Sequence, residues 1–365
     1  MFTGVAGGKQ RQRRSALMGS QAPAVSVLMP VHNGARFVET SVNSILVQTF
    51  DDFELIIGDD GSTDQTPEIL CALATKDPRI RLMHNSTRQG ISATLNKAVR
   101  QARGALIARM DADDWSHQTR FALQIAAFHQ TTALVLCGSN AAHVDEQMRP
   151  LSQTVLPTSD WDIRCVALFE NPFNHSSVMM RAEAFHRAGG YNEEFSTTQD
   201  YELWVRVLPY GEVRNLKESL VKMRRHDESV SALMHQVQSE RTGEVQRDYA
   251  RQWLGINDWD QSRYRNIRRH LYRGPSYPVS SVRSGEHAIL DSAALMARVQ
   301  KCYPKRKSVW LQGYISGRCI LSALRRPIDR RKIASVIGLT AHDPGVCLRG
   351  LGQLTQAALK SRLVG

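Results

Sequence analysis

Between residues 23 and 138 the chain alternates short apolar runs with stretches whose apolar residues recur every three or four positions. Val25 to Val31 is the first run, closed by the turn residues Pro30-Val31-His32-Asn33-Gly34. Phe37, Ser41, Val42, Ile45 and Leu46 then follow helical spacing. Phe53 to Gly58 is a second strand, stopped by Asp59-Asp60-Gly61-Ser62. The helix after it takes Ser62 or Thr63 as its cap, with Pro67 in the first turn and Ile69, Leu70 and Leu73 inward. Ile80 to His84 is a third strand, and Ile91, Leu95, Ala98, Val99 and Ala102 mark the next helix. Ala105 to Met110 and Ala133 to Cys137 are the fourth and fifth strands. Strands alternating with helices of this length predict a mainly parallel α/β sheet covered by helices on both faces.

Beyond residue 139 the pattern is mixed. Helical spacing covers Trp161 to Leu168, Ala182 to Ala188 (closed by Gly189-Gly190) and Asp200 to Leu208, while His175 to Met180 reads as a strand. After His226 the strand signals fade, and residues 233–254, 288–302 and 308–325 carry helix-like apolar spacing. The division that follows is a basic, disordered tail over 1–22, an α/β domain over 23–231 and a mostly helical basic region over 232–365. No apolar stretch is long enough to span a bilayer.

Charge sharpens this division. The net charge of +12 is unevenly placed: residues 23–229 hold 20 basic and 26 acidic side chains, whereas 230–365 hold 23 basic and 9 acidic. Basic asymmetry of that kind suits an anionic surface. The six cysteines form no Cys-x-x-Cys pair, which excludes a clustered zinc site and fits reduced thiols in the cytoplasm. No nucleic-acid partner is expected, because no aromatic residues interleave with the basic ones on a recognisable module.

Open α/β sheets bind ligands at the carboxyl ends of their strands, and the polar clusters fall there. Asp111-Ala112-Asp113-Asp114 follows the fourth strand. Three carboxylates so close repel one another unless a cation intervenes, and Mg²⁺ or Mn²⁺ bridging them to a diphosphate is one solution. A solvated acidic turn ahead of the helix near Arg120 is the other. Asp59 to Asp64 suits either a turn and helix cap or a carboxylate, Asp60, that accepts bonds from a nucleotide. Asp200 reads as a helix N-cap or as a general base. Trp204 reads as a core residue, and His226 as a surface histidine or a metal ligand.

Taken together, Val25–Asn33, Ser41–Phe50, Phe53–Ile57, Asp59–Asp64 and Asp111–Asp114 strongly resemble the family 2 glycosyltransferases, which have the GT-A fold. Asn174–Met180, Gly189–Phe195, Gln199–Arg206 and Arg224–Ser231 continue the resemblance in order and approximate spacing, so that it covers about residues 24–231. It implies an inverting enzyme that moves a sugar from a nucleotide-diphosphate donor to a glycan or lipid-linked hydroxyl, in polysaccharide or glycolipid biosynthesis. It also implies nucleotide contacts from Pro30, His32, Asp60, Arg88 and Asp111, and a Mn²⁺ or Mg²⁺ site from Asp111, Asp113, Asp114 and His226. Asp200 takes the position of the catalytic base, and His175, Gln199, Trp204 and Arg206 fall on the acceptor side. Two departures stand out: His32 replaces the commoner tyrosine, and Gln199 the usual glutamate.

Among rivals, a sugar nucleotidyltransferase would need a Gly-rich loop after the first strand, where only Gly34 occurs. A scaffold built on an inactive transferase would not need carboxylates at 60, 111, 113, 114 and 200. A further expectation concerns Ser308–Leu324. Its apolar residues sit beside Arg318, Arg325 and Arg326, which suits either peripheral docking on the cytoplasmic face of an anionic membrane or packing on the enzyme core.

Overall fold

The computed structural model describes residues 22–226, 235–257, 298–299 and 301–303. The expected tail over 1–22 (Ala22 apart) and the segment 308–325 lie outside the described residues. Four strands are parallel neighbours in the order β3 (Ile80–His84), β2 (Phe53–Asp59), β1 (Val25–Val31), β4 (Leu106–Arg109). Central parallel strands are covered on both faces and therefore read as continuous apolar runs. The two-residue period of a strand splits those runs between two cores. Val27, Met29, Leu55 and Ile57 face one core with Val38, Val42, Ile45, Leu70, Phe121 and Phe128. Leu28 and Ile56 face the other, with Leu95, Ala98 and Val99.

The helices on the first face are α1 (Val38–Leu46), α2 (Thr66–Lys76) and α4 (Arg120–Gln130). On the second lie α3 (Ile91–Val99), α5 (Asp160–Val166), α6 (Ala182–Arg187), α7 (Gln199–Val207) and α8 (His235–Leu254). Helix α2 begins later than its polar sequence suggests. Gln65 occupies the cap position without a side-chain bond, because Ser62 is engaged elsewhere.

Past β4 the sheet turns mixed, continuing β8 (Met179–Arg181), β6 (Leu134–Val144), β9 (Glu212–Arg224), β5 (Trp115–Ser116), with β7 (Pro150–Gln153) paired to β6. Three expectations change here. The strand expected over His175–Met180 is a 3₁₀ turn over His175–Ser177 followed by the short β8. The strand expected to end at Cys137 runs on to Val144. The thirteen-residue β9 was not expected at all, since its burial does not alternate and it carries Glu212, Arg214, Lys217, Glu218, Lys222 and Arg224. β9 pairs in parallel with almost the whole of β6, and its end returns the chain to Asp114. Of the cysteines, Cys71, Cys137, Cys165 and Cys302 are free thiols. Among the described residues no helix is long and apolar enough to cross a membrane.

Candidate functional site

The loops after β1 and β2 are stitched together by the side chains of the Asp59–Thr66 segment. Ser62 Oγ accepts from the Asn33 amide at 2.9 Å, Thr66 Oγ1 from Gly34 at 2.9 Å, and Asp64 from Ala35 at 3.1 Å. Asn33 Oδ1 accepts from the Thr63 amide at 2.8 Å, and Asn33 itself holds a left-handed backbone (φ 50°) that asparagine tolerates. Asp59 accepts from the Ser62 amide at 3.0 Å and faces His84 at 2.9 Å.

Asp60 is buried, and its carboxylate accepts from the Gln89 amide (2.7 Å), the Gly90 amide (2.8 Å) and Asn85 Nδ2 (2.9 Å). Burial disfavours its charge, but these bonds outweigh burial and hold its pKa below the ordinary value. Asp60 thus anchors the loop that carries the exposed Arg88. Gly61 lies directly under that loop. At φ 70°, a Cβ there would meet the Thr87 backbone at 2.8 Å, so only glycine fits. His32, half-buried, places Nδ1 2.9 Å from the Asp60 carbonyl oxygen, and Pro30 is half-buried at the end of β1.

The three carboxylates of Asp111–Asp114 have different surroundings. Asp111 accepts from Arg109 Nη2 at 2.5 Å and from Ser176 Oγ. Burial opposes its ionisation, yet Arg109, His175 and Ser176 together keep its pKa low. Asp114 is buried, accepts the Arg224 amide at 2.9 Å, and is pushed well up by burial and by the charges of Asp113 and Asp111. Asp113 is the most open of the three and lies 2.9 Å from His226 Nε2. Burial and Asp111 raise its pKa while His226 opposes the rise. Of the expected set, Asp113 faces His226, while Asp111 and Asp114 are bonded to Arg109, Ser176 and Arg224; among the described residues, no group of three His, Cys, Asp or Glu side chains is placed to hold a metal ion.

Asp200 is the second residue of α7, whose cap position is Thr198, and the positive φ of 68° at Thr198 is unusual for a β-branched residue. Its carboxylate accepts from Asn171 Nδ2 at 2.7 Å. Burial raises its pKa, the bonds from Tyr201 and Asn171 oppose this, and the negative charge of Asp111 adds to the rise. Asp200 and Asp111 are thus close enough to repel. Both also act on Tyr191, whose hydroxyl meets His175 Nε2 at 2.9 Å. Burial lowers His175 to about 3, so this ring is neutral at working pH. Trp204 is fully buried, edge-on to His175 at 5.8 Å, and its indole N–H has no hydrogen-bond partner among the described residues. Gln199 is buried, and its Oε1 has no hydrogen-bond partner among the described residues. Arg206 pairs with Glu202 and donates to the carbonyls of Ala188 and Gly190, which fixes the Gly189-Gly190 turn.

The structure therefore brings Asp111, His175 and Asp200 into one electrostatic neighbourhood, sets Asp113 against His226, and buries Trp204 behind His175. Several residues that govern the site were missed in the sequence. Arg109 is almost wholly buried, and its Nε and Nη1 have no hydrogen-bond partners among the described residues. Its signal was a charge inside the apolar run Leu106–Met110. Arg120 donates to the carbonyls of Arg109 (2.8 Å) and Val178 (3.1 Å), which ties β4 to the strand beside it. Burial, and then Arg109, lower Arg120 to about 9, so it remains a cation at neutral pH. Asn171 left no local signal, and Ser176 and Arg224, although they lie in segments that carry the resemblance, gave no sign of their partners, which are distant in sequence.

A sheet of this topology, with acidic residues gathered at its strand ends, has the architecture of the GT-A fold. A family model described as glycosyl transferase family 2 matches residues 26–185. The O-antigen biosynthesis glycosyltransferase WbnJ of Escherichia coli is 32% identical over 209 residues, covering 56% of this chain and 81% of that protein. S. aureus TarS 1–349 in complex with UDP-GlcNAc superposes with a TM-score of 0.54 at 16% identity, covering 86% of this chain and 90% of TarS 1–349. The mannosyltransferase PcManGT from Pyrobaculum calidifontis, in complex with GDP-Man and Mn²⁺, gives 0.50 at 14% identity, covering 92% and 93%. The chain belongs to the family 2 glycosyltransferases.

Proposed function

We propose that this glycosyltransferase moves a sugar from a nucleoside-diphosphate donor to a hydroxyl acceptor with inversion, and that Asp200 is its base. The observation that carries this reading is the Asp200 carboxylate. It is oriented by Asn171, raised in basicity by burial, and close enough to Asp111 to sense its charge. A base of raised pKa takes a proton from an attacking hydroxyl more readily than an ordinary carboxylate does. The donor lies at the ends of β1 to β4, where Pro30, His32, Asp60, Arg88 and Asp111 sit. Its anomeric carbon is thereby offered to an acceptor on the Asp200 side, beside His175 and Gln199. UDP-GlcNAc and GDP-Man in TarS and PcManGT support a nucleotide-sugar donor.

Asp113 and His226 fit a divalent cation. Mg²⁺ and Mn²⁺ are commonly held by one or two carboxylates together with substrate phosphates, and Asp113 is a half-exposed carboxylate beside an imidazole. When bound, such a cation offsets the charge that develops on a departing diphosphate. The chain's own part is to hold Asp113 against His226 and to keep Asp111 and Asp114 turned to other partners.

The WbnJ relationship supports a role in surface polysaccharide or glycolipid assembly. The excess of basic residues after position 230 supports docking on the cytoplasmic face of an anionic membrane, where lipid-linked acceptors would lie. A panel of nucleotide sugars, with released nucleoside diphosphate measured with and without Mn²⁺, tests the reading. One donor should be turned over. Release from none of them counts against it.

A further inference from the structure

Helix α3 (Ile91–Val99) carries polar side chains on two faces, and each face holds a different loop. Thr94 and Lys97, three positions apart, share one face. There Asn85 Nδ2 donates to Thr94 Oγ1 at 3.0 Å and Lys97 Nζ donates to Asn85 Oδ1 at 2.7 Å, which secures a residue that also holds Asp60. Ser92 and Asn96, four positions apart, share another. Ser92 Oγ donates to the Phe195 carbonyl at 3.3 Å. The Asn96 amide engages both polar backbone atoms of Tyr191: Nδ2 donates to the carbonyl at 2.8 Å, and Oδ1 accepts from the N–H at 2.9 Å. The same Nδ2 reaches the Glu193 carboxylate at 2.9 Å. Gly190 makes room for this pairing. Its φ is 76°, a Cβ there would lie 2.9 Å from Asn96 Oδ1, and its carbonyl accepts from Arg206 at 2.8 Å. The Tyr191 backbone is thus fixed from two helices. The Tyr191 ring is buried against Phe185 at 5.5 Å, and its hydroxyl meets His175 Nε2 at 2.9 Å.

We propose that Asn96 is a positioning residue for the transfer step: by clamping the Tyr191 backbone it holds the Tyr191 hydroxyl on His175, and so sets the wall that an acceptor meets beside Asp200. The inference rests on the reading of Asp200 as the base, and it adds a residue from a helix whose other face serves the donor loop. The Asn96 side chain is committed to Tyr191 and Glu193, so it acts through Tyr191. Because the Asp60 loop and the Tyr191 wall are built on one helix, the two sides of the site keep a fixed spacing.

The test is a double-mutant cycle on the full-length protein, read as nucleoside diphosphate released from the donor that the nucleotide-sugar panel identifies. A hydrogen bond of ordinary net strength corresponds to roughly tenfold in an equilibrium or rate. Asn96→Ala should therefore lower kcat by about tenfold, and Tyr191→Phe, which removes only the hydroxyl, by a similar factor. The double variant should be no slower than the slower single one. Calorimetric binding of that donor's nucleoside diphosphate, with Mn²⁺ present, should stay within about threefold in all three, since the bonds of Thr94 and Lys97 to Asn85 remain. Glu193→Ala, which removes the other partner of Asn96, should leave kcat unchanged. Should Asn96→Ala not fold, Asn96→Asp keeps the bond from the Tyr191 N–H, loses the one to its carbonyl, and should show the same pattern. A folded variant with wild-type kcat overturns the proposal. Additive losses in the double variant, or nucleotide binding that weakens as much as kcat falls, also overturn it, and these results leave the transferase reading standing. Release from no donor by the wild-type protein overturns that reading itself.

Discussion

The Asp113 carboxylate and the His226 imidazole lie 2.9 Å apart although 113 residues separate them in sequence. Strand β9 makes the encounter. Arg224, two residues before His226, donates its amide to Asp114, its Nε to the Asp113 carbonyl at 2.8 Å and its Nη1 to the Glu146 carbonyl at 2.6 Å. Its guanidinium lies 4.2 Å from the Phe37 ring centroid, and Phe37 packs 5.4 Å from His226. A loop, a turn and a strand end are thus fixed around one carboxylate.

Removing that carboxylate separates metal dependence from folding. Asp113→Ala should abolish transfer with little change in Tm, because Asp113 is raised in pKa and stabilises little by its charge. EDTA should silence the wild-type enzyme, and added Mn²⁺ should restore it. Undiminished turnover in EDTA would remove the cation from the account.

Arg224→Lys keeps the charge but loses the planar fork that reaches two carbonyls at once. The expected result is a several-fold rise in the Mn²⁺ concentration needed for half-maximal activity, with a folded protein by circular dichroism. An unchanged Mn²⁺ requirement would reduce Arg224 to ordinary packing.

Asp200 carries a pH prediction whose sign follows from its raised pKa, caused first by burial and further by Asp111. The base works only when ionised, so kcat/KM should fall as pH drops through a value above the ordinary aspartate pKa. In stability the sign is opposite. The fold favours the protonated form, so ionisation costs stability above the folded pKa, and the cost disappears as pH falls through it. Asp200→Asn should accordingly melt no lower than wild type near neutral pH, and its advantage should shrink in acid. A variant that melts well below wild type at neutral pH would mean that the Asp200 charge supports the fold.

Membrane docking has its own readout. Full-length protein should float with anionic liposomes at low salt and stay off neutral ones, while a 1–231 truncation that remains soluble should float with neither. Full-length protein that ignores anionic liposomes would leave the basic residues beyond position 230 without that role.

Much of the nucleotide half is legible in the sequence, because β1, β2 and β4 are buried on both faces and announce themselves as largely apolar runs. The acidic clusters at their ends are legible for the same reason. What the sequence conceals is the division of labour within Asp111–Asp114. That division depends on Arg109 from β4, Ser176 from a 3₁₀ turn and Arg224 from β9, partners whose spacing no local pattern records. Strand β9 is itself hidden by its charged residues. Trp204 is fully buried, and Arg206 is bonded to Glu202 and the glycine turn.

The most direct test of the account is transfer by Asp200→Asn with the donor that the nucleotide-sugar panel identifies. The substitution keeps the size of the side chain and its bond from Asn171 while removing its basicity. General-base catalysis typically contributes about 10²- to 10⁴-fold, so kcat should fall by that order while nucleoside diphosphate binding stays within about threefold. A variant that binds the nucleotide normally and transfers sugar at close to the wild-type rate would contradict the central claim.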